Sequence, residues 1–126
     1  MLFFKAIYKV IIFWYFFMHN TINQLISIEK EIQTKINDLK YKDYRPKIIA
    51  VSKTFSISDI SPLINYGHKD FGENKVQESI EKWTDIKNDF PDIKLHMIGK
   101  LQTNKVKYVI PLFDYIHSLD NLKLAK

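Results

Sequence analysis

The sequence predicts an α/β fold with a parallel sheet, and three observations predict it. The apolar run Ile48–Val51 lacks alternation, as in a strand covered on both faces, and further short strand candidates follow it. Amphipathic stretches at helical spacing separate them, and the strand-then-helix unit repeats four times, roughly 20 to 25 residues apart, as parallel strands with crossover helices require.

The elements follow in order. Thr21 with Gln24 three residues on has the capping-box form, and Leu25, Ile28, Ile32, Ile36 and Leu39 recur at helical spacing, which predicts an amphipathic helix to about Lys40. Pro46 interrupts the chain, and Ile48–Val51 predicts the first strand. Ser56 and Asp59 cap a helix to Tyr66 that Gly67 ends in the left-handed conformation, with Pro62 inside it expected to bend it or delay its start. Lys69–Gly72 is the second strand, and Asn74 with Gln77 opens a helix carrying Val76, Ile80, Trp83 and Phe90. Lys94–Gly99 is the third strand, Thr103–Ile110 a helix stopped by Pro111, and Tyr115–Ser118 the fourth strand, with a last helix beginning at Asn121.

Composition excludes several classes of function. The 126 residues suit one domain, and 46% of them are hydrophobic, enough for a modest core. The net charge of +5 comes from lysines scattered among 14 acids with a single arginine, Arg45, and lacks the clustered, arginine-rich footprint of a nucleic-acid binder. Without cysteine there are no disulfides and no thiolate metal sites, which fits a reducing, cytoplasmic setting. No metal site is expected.

Residues 1–17, "MLFFKAIYKVIIFWYFF", stand apart, with 8 of the 18 aromatic residues. Lys5 and Lys9 before an apolar run imitate a signal peptide, but no small-residue cleavage site follows, and the run from Val10 to Met18 is shorter than the about 20 residues a bilayer needs. The segment reads as a start-site artefact ahead of Met18, with an interfacial anchor as the alternative. The folded domain is then 18–126.

One residue at a strand end has chemical interest. In "IIAVSK" strand alternation sets Ile49, Val51 and Lys53 on one face, with Lys53 at the carboxyl rim, where parallel sheets carry their sites. A lysine in a partly apolar rim is disfavoured as the cation, and its amine becomes a nucleophile toward an aldehyde. The bland alternative is a lysine that snorkels to water. Asn74 reads as a helix cap, and His96, sharing a face with Ile98, as a core histidine.

The segments "IIAVSKT", "YGHKDFGENKVQE" and "LHMIGKLQTNK" resemble, in order and spacing, those of the pyridoxal phosphate homeostasis proteins, over essentially Met18 to Lys126. The resemblance implies a (β/α)₈ barrel similar to the N-terminal domain of alanine racemase, of which this chain carries the first half. It implies that Lys53 holds pyridoxal 5′-phosphate as an aldimine, with Asn74 and His96 at cofactor-binding positions. Gln102 and Asn104 are open between rim and first-turn roles, and Lys105 is structural. The implied function is a carrier in intracellular pyridoxal phosphate homeostasis, with no catalytic residues, serving apoenzymes that use the cofactor. The alternatives are an amino-acid racemase or decarboxylase on the same cofactor, and a membrane-surface or interaction fragment. A whole barrel takes about 250 residues. Four strands and three glycines leave no glycine-rich phosphate loop, so the phosphate cradle is expected to be absent.

Overall fold

A computed structural model of the chain describes residues 19–125. Residues 1–17, read above as artefact or anchor, lie outside the described residues. The chain divides into two compact units: one holds the described residues up to Pro46 together with Ser61–Gly67, the other Lys47–Ile60 together with the residues from His68 onward.

In the first unit, helix α1 (Asn20–Asp38) starts ahead of the expected cap. His19 occupies the cap position in extended backbone, and its Nδ1 lies 2.7 Å from the Thr21 hydroxyl, which is thereby engaged beside the helix start. Leu25 and Ile36 are buried as their spacing predicts, but Ile28 and Leu39 are exposed. With Ile32, Ile36, Tyr41, Tyr44 and Pro46 they line a groove of about 430 Å³. The helix ends in a Schellman arrangement, Tyr41 N–H to the Ile36 carbonyl and Lys40 N–H to that of Asn37, with Lys40 at φ 58° in the position glycine usually fills.

Helix α2 (Ile57–Tyr66) begins after Ser56, whose N–H and hydroxyl both donate to the Asp59 carboxylate. The side chain and backbone of Ser56 hold that carboxyl below its usual range. Pro62 does not interrupt the helix. Its ring is fully buried, so packing holds the turn that lost a backbone donor. Gly67, at φ 104°, closes the helix with its N–H on the Ile64 carbonyl, 3.0 Å away.

The second unit holds the sheet. Strands β1 (Ala50–Val51), β2 (Asp70–Glu73), β3 (Lys94–Met97) and β4 (Tyr115–Ile116) lie in sequential order, every neighbouring pair parallel. Four parallel strands in chain order, with helices between them, form half of a (β/α)₈ barrel. Strand β1 is shorter than the apolar run, because only Ala50 and Val51 find partners on β2.

Two faces follow from the register. Phe71, Glu73, Leu95 and Met97 are fully buried, on the side covered by α3 (Val76–Asp89), whose Trp83 packs on Phe71 with ring centroids 5.0 Å apart. Val51, Gly72, His96 and Tyr115 pair across the other face, the barrel-interior side. A Cβ on Gly72 would stand 3.0 Å from Ile49 Cγ2 and 3.1 Å from Ile98 Cδ1, so glycine lets the two isoleucines close over β2. The stretch from Thr103 expected as one helix is a 3₁₀ turn (Thr103–Lys105) followed by the short α4 (Val106–Val109), and α5 (Leu122–Ala125) follows β4. Among the described residues no helix is long and apolar enough to cross a membrane.

Candidate functional site

Lys53 sits in the turn directly after β1, exposed at the carboxyl rim. Its neighbours are tied down. Ser52 is buried, its N–H donates to the Gly72 carbonyl at 3.0 Å, and its hydroxyl donates to Glu73 Oε1 at 2.8 Å. Lys82 Nζ, from α3, donates to the Ser52 carbonyl at 3.0 Å and to Glu73 Oε1 at 2.9 Å. On the far side Thr54 takes φ 66°, and its N–H donates to Glu78 Oε1 at 3.2 Å. A left-handed threonine is uncommon and persists only where its surroundings hold it. Lys53 thus stands between two anchored residues, and among the described residues nothing pairs with its amine.

Behind this turn, Glu73 is fully buried. Its Oε1 accepts from Ser52, Lys82 and, at 3.0 Å, Trp83 Nε1, while Oε2 has no partner. Glu73, Lys82 and Glu78 were not legible as site residues. Spacing along α3 gives a hint, since Glu78 and Lys82 stand four apart and share one face.

Asn74 stands at the rim of β2, but the expected cap does not form. Helix α3 begins at Val76 after an extended Lys75, with no side-chain cap, and Gln77 donates to Glu81 instead. The chain bends at Asn74, directly after β2, where β3 runs beside it: Ile98 N–H donates to the Glu73 carbonyl, and Gly99 lies against the Asn74 backbone. Asn74 lines a cleft of about 750 Å³ together with Gln77, Glu78, Glu81, Gln102 and Lys105. Gln102 and Lys105 thus border the same cleft as Asn74; Lys53 is not among the cleft's lining.

His96 is 4% exposed, and both ring nitrogens are engaged, Nε2 with Asp70 Oδ1 and Nδ1 with His117 Nε2, each at 2.9 Å. The Tyr115 ring stacks on it at 4.6 Å, and Lys47 lies 3.9 Å from Asp70. This satisfies the core-histidine expectation by a route not anticipated. Asp70 and His117 went unremarked in the sequence, although alternation from Gly72 and Tyr115 sets both on the face of His96. Among the described residues no group of three His, Cys, Asp or Glu could hold a metal ion.

No family model matches the chain. Curated relatives do. The chain is 41% identical over 107 residues to the pyridoxal phosphate homeostasis protein of Buchnera aphidicola subsp. Schizaphis graminum, covering 84% of this chain and 46% of the relative. It is 39% identical over 106 residues to that of Pasteurella multocida, with 83% and 46% covered, and 43% identical over 79 residues to that of Synechocystis sp., with 63% and 36% covered. The matched stretches thus span between about a third and a half of the length of these relatives. Among solved structures, PipY of Synechococcus elongatus with pyridoxal phosphate bound superposes with a TM-score of 0.59 at 38% identity, over 73% of this chain and 43% of PipY.

Proposed function

We propose that this chain, a homologue of the pyridoxal phosphate homeostasis proteins over slightly less than half their length, binds pyridoxal 5′-phosphate through a Schiff base on Lys53. In this reading it holds and releases the cofactor without turnover. The observation that carries it is the Lys53 amine, unpaired at the strand rim between two anchored neighbours. An amine with no carboxylate on it has no ion pair to break before it adds to an aldehyde. The cofactor, when bound, supplies that aldehyde.

The residues present fit the aldehyde end of the group. Asn74 offers an amide at the next strand rim, and His96 belongs to the same sheet face. For the phosphate end, the described residues hold no glycine-rich loop, and a positioned cradle is not proposed on them. PipY, bound to pyridoxal phosphate and similar in backbone, supports the ligand; the names of the relatives support a carrier over an enzyme. A cytoplasmic carrier of this kind would deliver cofactor to apoenzymes, since a Schiff base exchanges with another amine. Residues 18–126 carry the binding, and residues 1–17 add nothing to it.

Borohydride reduction of the full chain incubated with pyridoxal 5′-phosphate, followed by peptide mapping, tests the reading. One adduct on Lys53 is expected, from the full chain and from a chain starting at Met18 alike. Reduction on Lys105, or spread over surface lysines, overturns the site. Racemisation or decarboxylation of amino acids above the free-cofactor background, abolished by Lys53→Ala, would replace the carrier with an enzyme.

A further inference from the structure

We infer that Glu78 is a positioning residue for Lys53, acting through the backbone of Thr54; the inference rests on the Lys53 reading above. The chain reverses directly after β1. Phe55 N–H donates to the Ser52 carbonyl at 3.2 Å, which closes a turn with Lys53 and Thr54 at its two corners. Lys53, in the second position, keeps a negative φ, and Thr54, in the third, stands at φ 66°. That combination is a type II turn, whose third residue is ordinarily glycine or asparagine. Threonine, branched at Cβ, is strained in that region, so a contact from outside the turn must hold it there.

Turn types I and II differ by a flip of the central peptide, here the one joining Lys53 to Thr54. In type I the second residue has ψ of about −30° and the third a negative φ; in type II these are about +120° and about +80°. The N–H of that peptide belongs to Thr54, and it donates to Glu78 Oε1 at 3.2 Å. This is the closest contact of the Glu78 carboxylate, with the ammoniums of Lys75 and Lys82 farther off at 3.7 and 3.8 Å. Flipping the peptide turns the N–H away from α3 and breaks the bond, so Glu78 opposes the relaxation that threonine itself favours. Lys82, on the same helix face, donates to the Ser52 carbonyl at 3.0 Å, and α3 thereby grips the turn on both sides of Lys53. Lys82 holds the end of the turn; Glu78 holds the group whose direction changes.

The consequence falls on the lysine. The flip changes the ψ of Lys53 by about 150° and carries it from the extended to the helical region. The rotamers open to a side chain depend on its φ and ψ, so the directions in which the amine projects change with the peptide. Glu78 keeps Lys53 in one backbone state before any ligand arrives. Without that hold, the state that presents the amine is a minor conformer, and apparent affinity falls by its fractional population.

Titration of the full chain with pyridoxal 5′-phosphate, read as the yield of borohydride-trapped Lys53 adduct, is the test, beside NMR of the same protein without cofactor. Glu78→Ala is expected to weaken binding about tenfold. Glu78→Gln, whose amide oxygen still accepts the Thr54 N–H, should stay within about twofold of the parent. Adding Thr54→Gly to Glu78→Ala should restore the adduct, since glycine takes a positive φ without help, whereas a general loss of structure would not be repaired that way. In the spectra the short distance from the Thr54 amide to its own Hα, the mark of positive φ, should appear in the parent and in Glu78→Gln and vanish in Glu78→Ala. An undiminished Lys53 adduct in Glu78→Ala overturns the inference, as does a Thr54 that keeps its positive φ there or a loss that Thr54→Gly does not repair. No Lys53 adduct in the parent, with the Thr54 mark still lost in Glu78→Ala, would sink the Lys53 reading and leave the turn as described.

Discussion

Lys82 donates from Nζ to Glu73 Oε1 at 2.9 Å, and the two form a buried ion pair, with side chains 9% and 0% exposed. The same ammonium holds the Ser52 carbonyl, so one pair joins α3, β2 and the Lys53 turn. Breaking it from one side strands a charge. Lys82→Ala should destabilise the chain by about 3–5 kcal/mol, because Glu73 would then be buried beside Ser52 and Trp83 with no cation. Lys82→Met with Glu73→Gln removes both charges and should cost less than Lys82→Ala alone. Urea midpoints of the three proteins decide; a double variant weaker than the single one would mean the pair is not what holds this corner.

Gly99 and Gly67 make opposite demands. A Cβ on Gly99 would lie 2.5 Å from the Asn74 carbonyl oxygen and 2.7 Å from its Cα, both backbone atoms that cannot swing aside. Gly67 has open space around it and is required only by its φ of 104°. Gly99→Ala should therefore cost about 1–3 kcal/mol and shift the amide signals of Asn74 and Lys75. Gly67→Ala should cost about 1 kcal/mol and leave the rim unmoved. Equal effects on the rim from both would contradict the close approach.

Much of this was legible from pattern. The apolar runs, the 3.6-residue spacing of Leu25 and Ile36, and the Ser56–Asp59 and Gly67 signals are local, and local chemistry realises them. Thr21 does not cap for a local reason, and Asn74 does not because the helix starts only at Val76. His19 engages the Thr21 hydroxyl, and Asn74 lies in a bend between β2 and the extended Lys75 that precedes the helix. Ile28 and Leu39 obey the periodicity yet stay exposed, since spacing tells which residues share a face and not whether anything covers it. Lys53 stood out as a candidate by position, at the end of an apolar strand. Glu73, Lys82 and the Asp70–His96–His117 chain did not, because residues 9 to 26 positions apart meet only once the register of the parallel strands is known.

Asp114 gives the acid response a named source. Its carboxylate accepts from Lys87 Nζ at 2.7 Å, the Leu95 N–H at 2.9 Å and Lys94 Nζ at 3.2 Å. Burial works to raise its pKa, but those hydrogen bonds together prevail and hold it below the usual carboxylate range. Lys94 is raised in return, first by the hydrogen bond to Asp114 and then by its charge. A depressed carboxyl stabilises the fold above its unfolded pKa of about 3.9 and loses that contribution as pH falls through the lower folded value. The raised Lys94 contributes below its unfolded pKa of about 10.4 and loses that contribution as pH rises through the higher folded value. Asp114→Asn should flatten the acid limb of stability against pH below about 4. Denaturant midpoints that fall with acid as steeply in the variant as in the parent would rule the group out.

The sheet edges predict association. Among the described residues β1 pairs only with β2 and β4 only with β3, so each presents a row of backbone groups without a strand partner. Beside those edges Val51, Tyr115 and Ile116 are exposed, apolar side chains of the kind that neighbouring strands cover in a closed barrel. Together the two features form a template for another chain. We expect concentration-dependent self-association, seen by sedimentation velocity, and its reduction by Ile116→Lys, which sets a charge on the β4 edge away from Lys53. Addition of a polypeptide supplying four further β/α units should compete with it and tighten cofactor binding, since strands on both flanks would then be paired. A chain that stays monomeric at every concentration and unfolds in one cooperative step would show that these edges are already satisfied.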